Sequence, residues 1–397
     1  FRAIDSRTVL ARWGAAVGDA PATDLEDALR VAGATGARYA IVGSAVSLGG
    51  QVRLTGEVYD VADGSKVGQA QVEGAPESVL ALADRLAVDV IRELLGSQGS
   101  EVVSEAQVAS LSTSSVGALR SYLEGEALIR SGEFERAASA YEEAVDQDST
   151  FAMAYYRLTL TYGWMEAGGD RAERADLALR ALSETLPPRN RLLLEGEQAL
   201  AQGDPAGIPL MEQVAKRYPD DPDAWALLGE HYVHLGHRSF ATVEDSYRAY
   251  RAAVDLDPTF APNYIHLTES AMRLGRIEEA RSLLDEYLRL APDTHQGRAM
   301  ELGFDLQFGD ESARAEALAT MASLGPHDLS DLTNGLASSA AGWDALAAAA
   351  DLIVARNGSP FWRGRGVAAL VNRGRLEEAQ RVSQAADGGP SPWDVRV

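Results

Sequence analysis

Three of the six histidines in this 397-residue chain fall within seven positions, His231, His234 and His237, with Glu230 directly before the first. Residues three apart on a helix share a side, and imidazole is a ligand for zinc, copper or nickel, so a metal-dependent enzyme would have to be built on this cluster. The plainer reading of the same residues is a polar, solvated helix surface, with His237 already in the turn that follows. No metal and no cofactor are therefore assigned, and His231, His234 and His237 stand as a weak metal candidate only. Other catalytic chemistry finds no footing. There is no glycine-rich phosphate loop, and Lys66 and Lys216 are the only lysines that could reach a phosphate. There is no G-x-S-x-G elbow, no H-E-x-x-H helix and no cysteine to act as nucleophile or zinc ligand. No catalytic residue is assigned to this segment, and a catalytic domain, if the protein has one, is expected upstream.

The elements that would carry such residues are paired helices. From Ala261 to Thr294, one helix places Tyr264, Leu267, Ala271 and Leu274 on a stripe and Gly275 ends it. A second carries Ile277, Ala280, Leu284, Tyr287 and Leu288 up to Pro292. One such pair cannot bury its own apolar face. Pro258, Pro292, Pro326 and Pro360 recur at intervals of 34 residues, so the pair is one unit of a stack.

These units resemble the tetratricopeptide repeat. Trp225, Leu228, Gly229, Tyr232 and Gly236 fall on the first-helix and turn positions of that family, as do Gly125, Gly132, Phe134, Ala137, Tyr141 and Ala144 in the first unit. Units start near Ala118, Ala152, Arg189, Pro222, Ala261, His295 and Leu329, with a degenerate one from about Arg363. The small residues Gly125, Gly229, Ala137 and Ala280 belong where two helix backbones approach, and Trp225 and Tyr264 are expected in the core. Insertions stretch the second unit at Ala167-Gly168-Gly169 and the fourth between Gly236 and Thr242.

The resemblance implies that the first helix of each pair lines a groove that receives a protein or peptide segment. Carried over position by position, the groove residues are Tyr122, Glu126, Arg130, Tyr156, Leu160, Trp164, Leu193, Glu197, Glu230, His234, Glu269, Met272 and Arg273. Aromatic area at one end and repeated carboxylates along the middle would suit an extended partner segment with an apolar anchor and basic residues. The aromatic residues are also open to being covered by the rest of the chain.

Residues 1–98 follow another pattern. Phe1–Ile4 reads as a strand, Ser6–Trp13 as a short helix and Asp24–Ala34 as a second. Arg38–Leu48, Gln51–Val61 and Lys66–Glu73 read as an antiparallel meander turned at Gly49-Gly50 and at Ala62–Ser65. Pro76–Leu95 is an amphipathic helix with Val79, Leu82, Leu86, Val90 and Leu94 facing the sheet. GARYAIVGSAVSLGGQVRLTGEVYDVADGSKV, followed by LADRLAVDVIREL, is similar to the second half of a TolB amino-terminal-type α/β domain. The combination resembles the carboxy-terminal region of bacterial multidomain signalling proteins of the serine/threonine kinase type. The expected organisation is a partial α/β domain (1–98), a linker (99–117) with a short helix at Val102–Ala109, and a right-handed, tetratricopeptide-type α-solenoid of seven or eight helix pairs (118–397). The fold class is mainly α.

A formal charge of −23 argues against nucleic acid, since phosphate binding needs Lys and Arg to displace counterions. Residues 1–98 carry nine basic and 13 acidic side chains, and the remainder 27 and 46, so the excess lies on the repeats and a basic partner fits it. No apolar run is long enough to span a bilayer, and the Asn357-Gly358-Ser359 sequon is followed by Pro360 and reads as a turn. The expected function is recognition without catalysis, as an interaction or sensor region of a larger signalling protein. The chain reads as a fragment tethered through an upstream segment, with a leaning toward the extracytoplasmic side of a bacterial membrane. A structural subunit of an envelope or fibre assembly is the alternative.

Overall fold

A computed structural model describes residues 4–17, 24–95, 113, 115–165 and 170–325, then 329, 332, 336, 345–346, 348–349, 351–352, 367, 370–371 and 374–384. The strand at 1–4, the helix at 102–109, the 167–169 insertion, the 357–359 triplet and most of the unit from Arg363 lie outside the described residues, wholly or nearly so. The described part is mainly helical with one small sheet near the amino terminus. Two compact units divide it, residues 1–239 with 252–259 and residues 240–251 with 260–397.

The first unit opens with helix α1 (Ser6–Val17), longer than the Ser6–Trp13 expected, and α2 (Leu25–Ala34), capped by Asp24, whose carboxylate accepts from the Asp27 amide at 2.8 Å. The meander follows as β1 (Tyr39–Leu48), β2 (Gln51–Asp60) and β3 (Lys66–Gly74), antiparallel in the order β1-β2-β3. Leu48 pairs with Gln51 across Gly49 and Gly50, whose φ values of 60° and 81° are those a two-residue primed turn requires. Helix α3 (Val79–Leu95) packs on β2 and β3, where Val58, Ala70 and Val90 form a small core. A Cβ on Gly56 would come within 2.8 Å of Val90 Cγ2, so glycine sets how closely that helix can lie.

The repeat pairs of this unit are α4 (Val116–Arg130) with α5 (Phe134–Gln147), α6 (Ala152–Trp164) with α7 (Asp170–Leu182), and α8 (Pro188–Ala201) with α9 (Gly207–Arg217). Helix α10 (Pro222–Leu235) opens the next pair. Ser115 caps α4, accepting from the Ala118 amide at 3.1 Å. At the α4–α5 crossing a Cβ on Gly125 would sit 2.5 Å from the Tyr141 ring, and Tyr141 is fully buried. Trp225 departs from its expected core position. It is half-buried in the first turn of α10, its Nε1–H donating to the Pro219 carbonyl at 3.0 Å, because an indole there can cap the preceding chain reversal while leaving one edge in water.

The second unit takes the Val243–Arg251 part of α11 (Val243–Leu256), α12 (Asn263–Arg273) with α13 (Ile277–Leu290), and α14 (His295–Phe308) with α15 (Glu311–Met321). Tyr264, Leu267, Ala271, Ala280, Leu284 and Tyr287 are all buried, as the stripe predicts. Arg276 donates to Glu244 at 2.8 Å and stacks on Tyr247, 4.3 Å from its ring centre, which ties α11 to the turn before α13. Beyond it, Leu329, Leu332, Leu336, Leu346 and Ala349 extend one apolar cluster from Leu306, Ala317 and Met321, and α16 (Leu376–Gln384) ends the described chain.

Candidate functional site

In the first unit the starts of successive first helices stand side by side, because a 34-residue period brings equivalent positions together. Pro188 and Pro222 open α8 and α10, so Arg189 faces the acidic start of the next helix. It forms a two-pronged ion pair with Asp221 and reaches Asp223 at 3.3 Å. Asp221 also caps α10, accepting from the Asp223 amide at 3.0 Å.

Around this pair lies a chain of alternating charge. Arg157 of α6 approaches Glu126 of α4 at 2.8 Å and Asp223 at 3.4 Å, and Tyr141 donates to Glu126 at 2.7 Å. Arg130 of α4 donates to Asp257 at 2.8 Å, and the Thr259 hydroxyl donates to the same carboxylate at 2.9 Å. The last members come from α1. Arg7 donates through Nε to Asp257 at 3.0 Å and pairs with Asp223 through a terminal nitrogen. It is only 8% exposed, and Asp257 is fully buried. Burial works against an ionised Asp223, yet Arg7, Arg157 and Arg189 overcome it and hold that carboxyl far below the ordinary carboxylate range.

Of the residues expected in the groove, Glu126 and Arg130 belong to this chain of charge. Tyr122 is half-buried, with the Phe151 ring 5.0 Å and the Tyr141 ring 5.8 Å from its own. Leu160 is half-buried, and Trp164 is 38% exposed with its ring edge-on to Phe134 at 5.6 Å. Tyr156 and Leu193 are buried at 2% and 0% exposure, and a partner cannot reach them; the stripe of helix facing a groove adjoins the stripe that packs the next helix, and these two fall on the packed side. Glu197 is half-buried, and among the described residues its carboxylate has no hydrogen-bond or ion-pair partner. Burial first, then the charges of Glu230 and Asp223, push it up to about 8. In the second unit Glu269 pairs with His266 at 2.6 Å, Met272 is buried and Arg273 is exposed.

The histidines do not converge. His231 is fully buried with Nδ1 2.8 Å from the Leu227 carbonyl, and burial lowers its pKa, whereas His234 is exposed and 3.2 Å from Glu230 and His237 is exposed in the turn. The solvated reading of His231 is thus corrected along with the shared metal site: its position on α10 points into the α9–α10 packing, where a Cβ on Gly207 would lie 2.4 Å from its Nε2.

Sequence reasoning missed Asp5, Arg7, Arg157, Arg189, Asp221, Asp223 and Asp257. One signal was present for part of the set. Arg189 and Asp223 lie 34 residues apart, each the second residue of its helix, and opposite charges at equivalent repeat positions become neighbours. Nothing local marked Arg7.

A tetratricopeptide repeat family model matches residues 122–186 and 193–259. Among solved structures the chain is similar to residues 41 to the end of MamA from Desulfovibrio magneticus RS-1, at 20% identity over 45% of this chain and 99% of that one, with a TM-score of 0.26. It is similar to YrrB, described as a TPR protein with an unusual peptide-binding site, at 18% identity over 46% of this chain and 90% of that one, with a TM-score of 0.26. It is similar also to PilW, a type IV pilus biogenesis factor, at 14% identity over 56% of this chain and 99% of that one, with a TM-score of 0.34. No curated protein matches the sequence. The helix pairs of residues 122–186 and 193–259 are tetratricopeptide repeats.

Proposed function

We propose that this chain is a non-catalytic protein-interaction region of a larger bacterial signalling protein, and that the first-helix face of its repeats receives a basic segment of a partner protein. The observation that supports this reading is the run of half-buried carboxylates on the first helices between residues 116 and 235, Glu126, Glu197, Asp223 and Glu230, with Tyr122, Leu160 and the exposed Trp164 on the same set of helices. Apolar area for an anchor and carboxylates for basic side chains, carried by one series of helices, can give a peptide both affinity and register. The test is photo-crosslinking in the source cell, with p-benzoylphenylalanine placed at Trp164, or at the control position Leu177 on α7, which is 69% exposed. Discrete protein adducts at 164 and none at 177 are expected. Equal adduct patterns at both positions would dispose of the face.

The structural-subunit reading draws on a different observation. Ile41, Val46 and Leu48 on the edge strand β1 are 58%, 54% and 74% exposed, and an apolar edge strand is a template for pairing with another chain. Light scattering separates the two: concentration-dependent assembly, abolished by Ile41→Lys and Val46→Lys together, would favour this second reading.

A further inference from the structure

Resting on the proposed binding face, we infer that the site enclosed by Asp220, Asp223 and Asp257 is a receptor for one arginine presented at the start of a helix. Helix α1 is its resident in cis, and the same motif carried by a partner protein displaces it.

The contacts of α1 are those of a guest. The helix and the residue before it meet the repeats through polar groups: the Asp5 amide donates to Asp220 Oδ2 at 3.2 Å, the Thr8 hydroxyl to the Asp220 carbonyl at 2.9 Å, and Arg12 to the Asp255 carbonyl at 3.1 Å. Asp5 lies 3.4 Å from Arg189. Apolar anchoring is slight, since Ala11 is the only buried hydrophobic residue of the helix, while Val9 and Leu10 are 37% and 63% exposed. A core helix of this length would bury a stripe of large side chains. This one buries Arg7, Thr8 and Ala11.

The receptor side is furnished without the guest. Asp223 has Arg157 and Arg189 within 3.4 Å and 3.3 Å, and Asp257 has Arg130 and Thr259 at 2.8 Å and 2.9 Å, all supplied by the repeats. Removal of α1 therefore leaves neither carboxylate without a cation, and the open face can stand. The geometry also selects the cation. Asp257 takes the Nε side of the guanidinium and Asp223 a terminal nitrogen, two separate donor atoms held in one rigid plane, which suits a guanidinium better than the single nitrogen of an ammonium. The motif is spelled by Asp5-Ser6-Arg7-Thr8 with Ala11. Asp5 Oδ1 accepts from the Arg7 amide at 2.9 Å and starts the helix, Arg7 enters the site, Thr8 grips the Asp220 carbonyl, and a small residue four positions after the arginine allows the close approach. The partner segment is thus a helix start of that pattern, in place of the extended peptide that the repeat family alone suggested.

The experiment uses the full chain and a fluorescein-labelled peptide of residues 4–17. The Arg7→Ala chain, whose own helix is weakened as a competitor, is expected to bind the peptide at least about tenfold more tightly than the wild-type chain, in line with the cost of truncating one partner of a buried charge pair. A peptide carrying Arg7→Ala should bind neither chain. Equal binding by the two chains, or none by the variant, overturns the inference. Hydrogen exchange on the wild-type chain removes any dependence on how the variant folds: saturating unlabelled peptide should accelerate exchange in residues 4–17 and leave 116–165 protected. Unchanged exchange in 4–17 overturns it. If adducts still form at position 164 in that case, the binding face survives and only its arginine specificity is lost.

Discussion

Arg7 Nε donates to Asp257 Oδ2 at 3.0 Å across 250 positions of sequence, and both side chains are almost wholly out of water. A buried pair of this kind is costly to break from one side, because the partner left behind is still desolvated. Asp257→Ala is expected to destabilise the chain by about 3 kcal/mol, and to do so by much less when Arg7 is already alanine. A double-mutant cycle by urea denaturation measures this. A coupling between the two sites near zero would mean that Arg7 adds nothing once Arg130 holds Asp257.

Glu197 sets a pH dependence of the opposite sense to its neighbours. Its folded-state pKa of about 8 lies above the unfolded value, so the folded state holds the extra proton and stability falls as pH rises from about 4.5 to about 8. Asp223 is depressed, so its contribution is present above the unfolded carboxylate value and is lost only as the solution becomes strongly acid. Glu197→Gln should flatten the loss of melting temperature between pH 6 and 8 while leaving the acid limb unchanged. Parallel curves for variant and wild type would show that water reaches Glu197 well enough to keep it ionised.

The paired helices, the hairpin at Gly49-Gly50 and the core roles of Tyr141, Leu284 and Tyr287 were legible because local periodicity and turn chemistry dictate them. The candidate site was legible only in outline. Glu126 and Arg130 were named from their helix positions, but the side of the first helix that stays open depends on what packs beside it, and Tyr156 and Leu193 went to the packed side. The charges at Arg189 and Asp223 were readable in principle, since the repeat period superimposes them, whereas the insertion after Gly236 takes Asp257 out of that register. Arg7 was not. Its partners lie more than 200 positions away, and an arginine in a short amphipathic helix ordinarily marks a solvated face.

The crossing of α4 and α5 tests the repeat register. A methyl group at position 125 would meet the ring of buried Tyr141 at 2.5 Å, and a fully buried ring has little room to yield. Gly125→Ala should therefore cost about 1 to 3 kcal/mol, the usual range for overpacking. Gly163 on α6 has nothing within 4 Å of the same added atom, so Gly163→Ala should be neutral or stabilising by up to about 1 kcal/mol. Denaturation midpoints of the two variants check the contrast. If Gly125→Ala is as well tolerated as Gly163→Ala, the helices do not cross where the glycine lies.

The three clustered histidines should separate by substitution. His231 is fully buried, held by the Leu227 carbonyl and packed against the start of α9 at Gly207, and burial keeps it neutral. His231→Ala removes a filled volume and a hydrogen bond, for an expected loss of about 2 to 4 kcal/mol. His234→Ala and His237→Ala touch exposed positions and should change stability by less than about 0.5 kcal/mol. The depressed pKa adds a sign. The unfolded chain takes up a proton near pH 6.5 that folded His231 resists, so its contribution is present above that pH and declines below it. Melting curves at pH 5.5 and 7.5 should show the gap between wild type and His231→Ala narrowing at the lower pH. A gap of the same size at both would mean that folded His231 accepts the proton as readily as the unfolded chain.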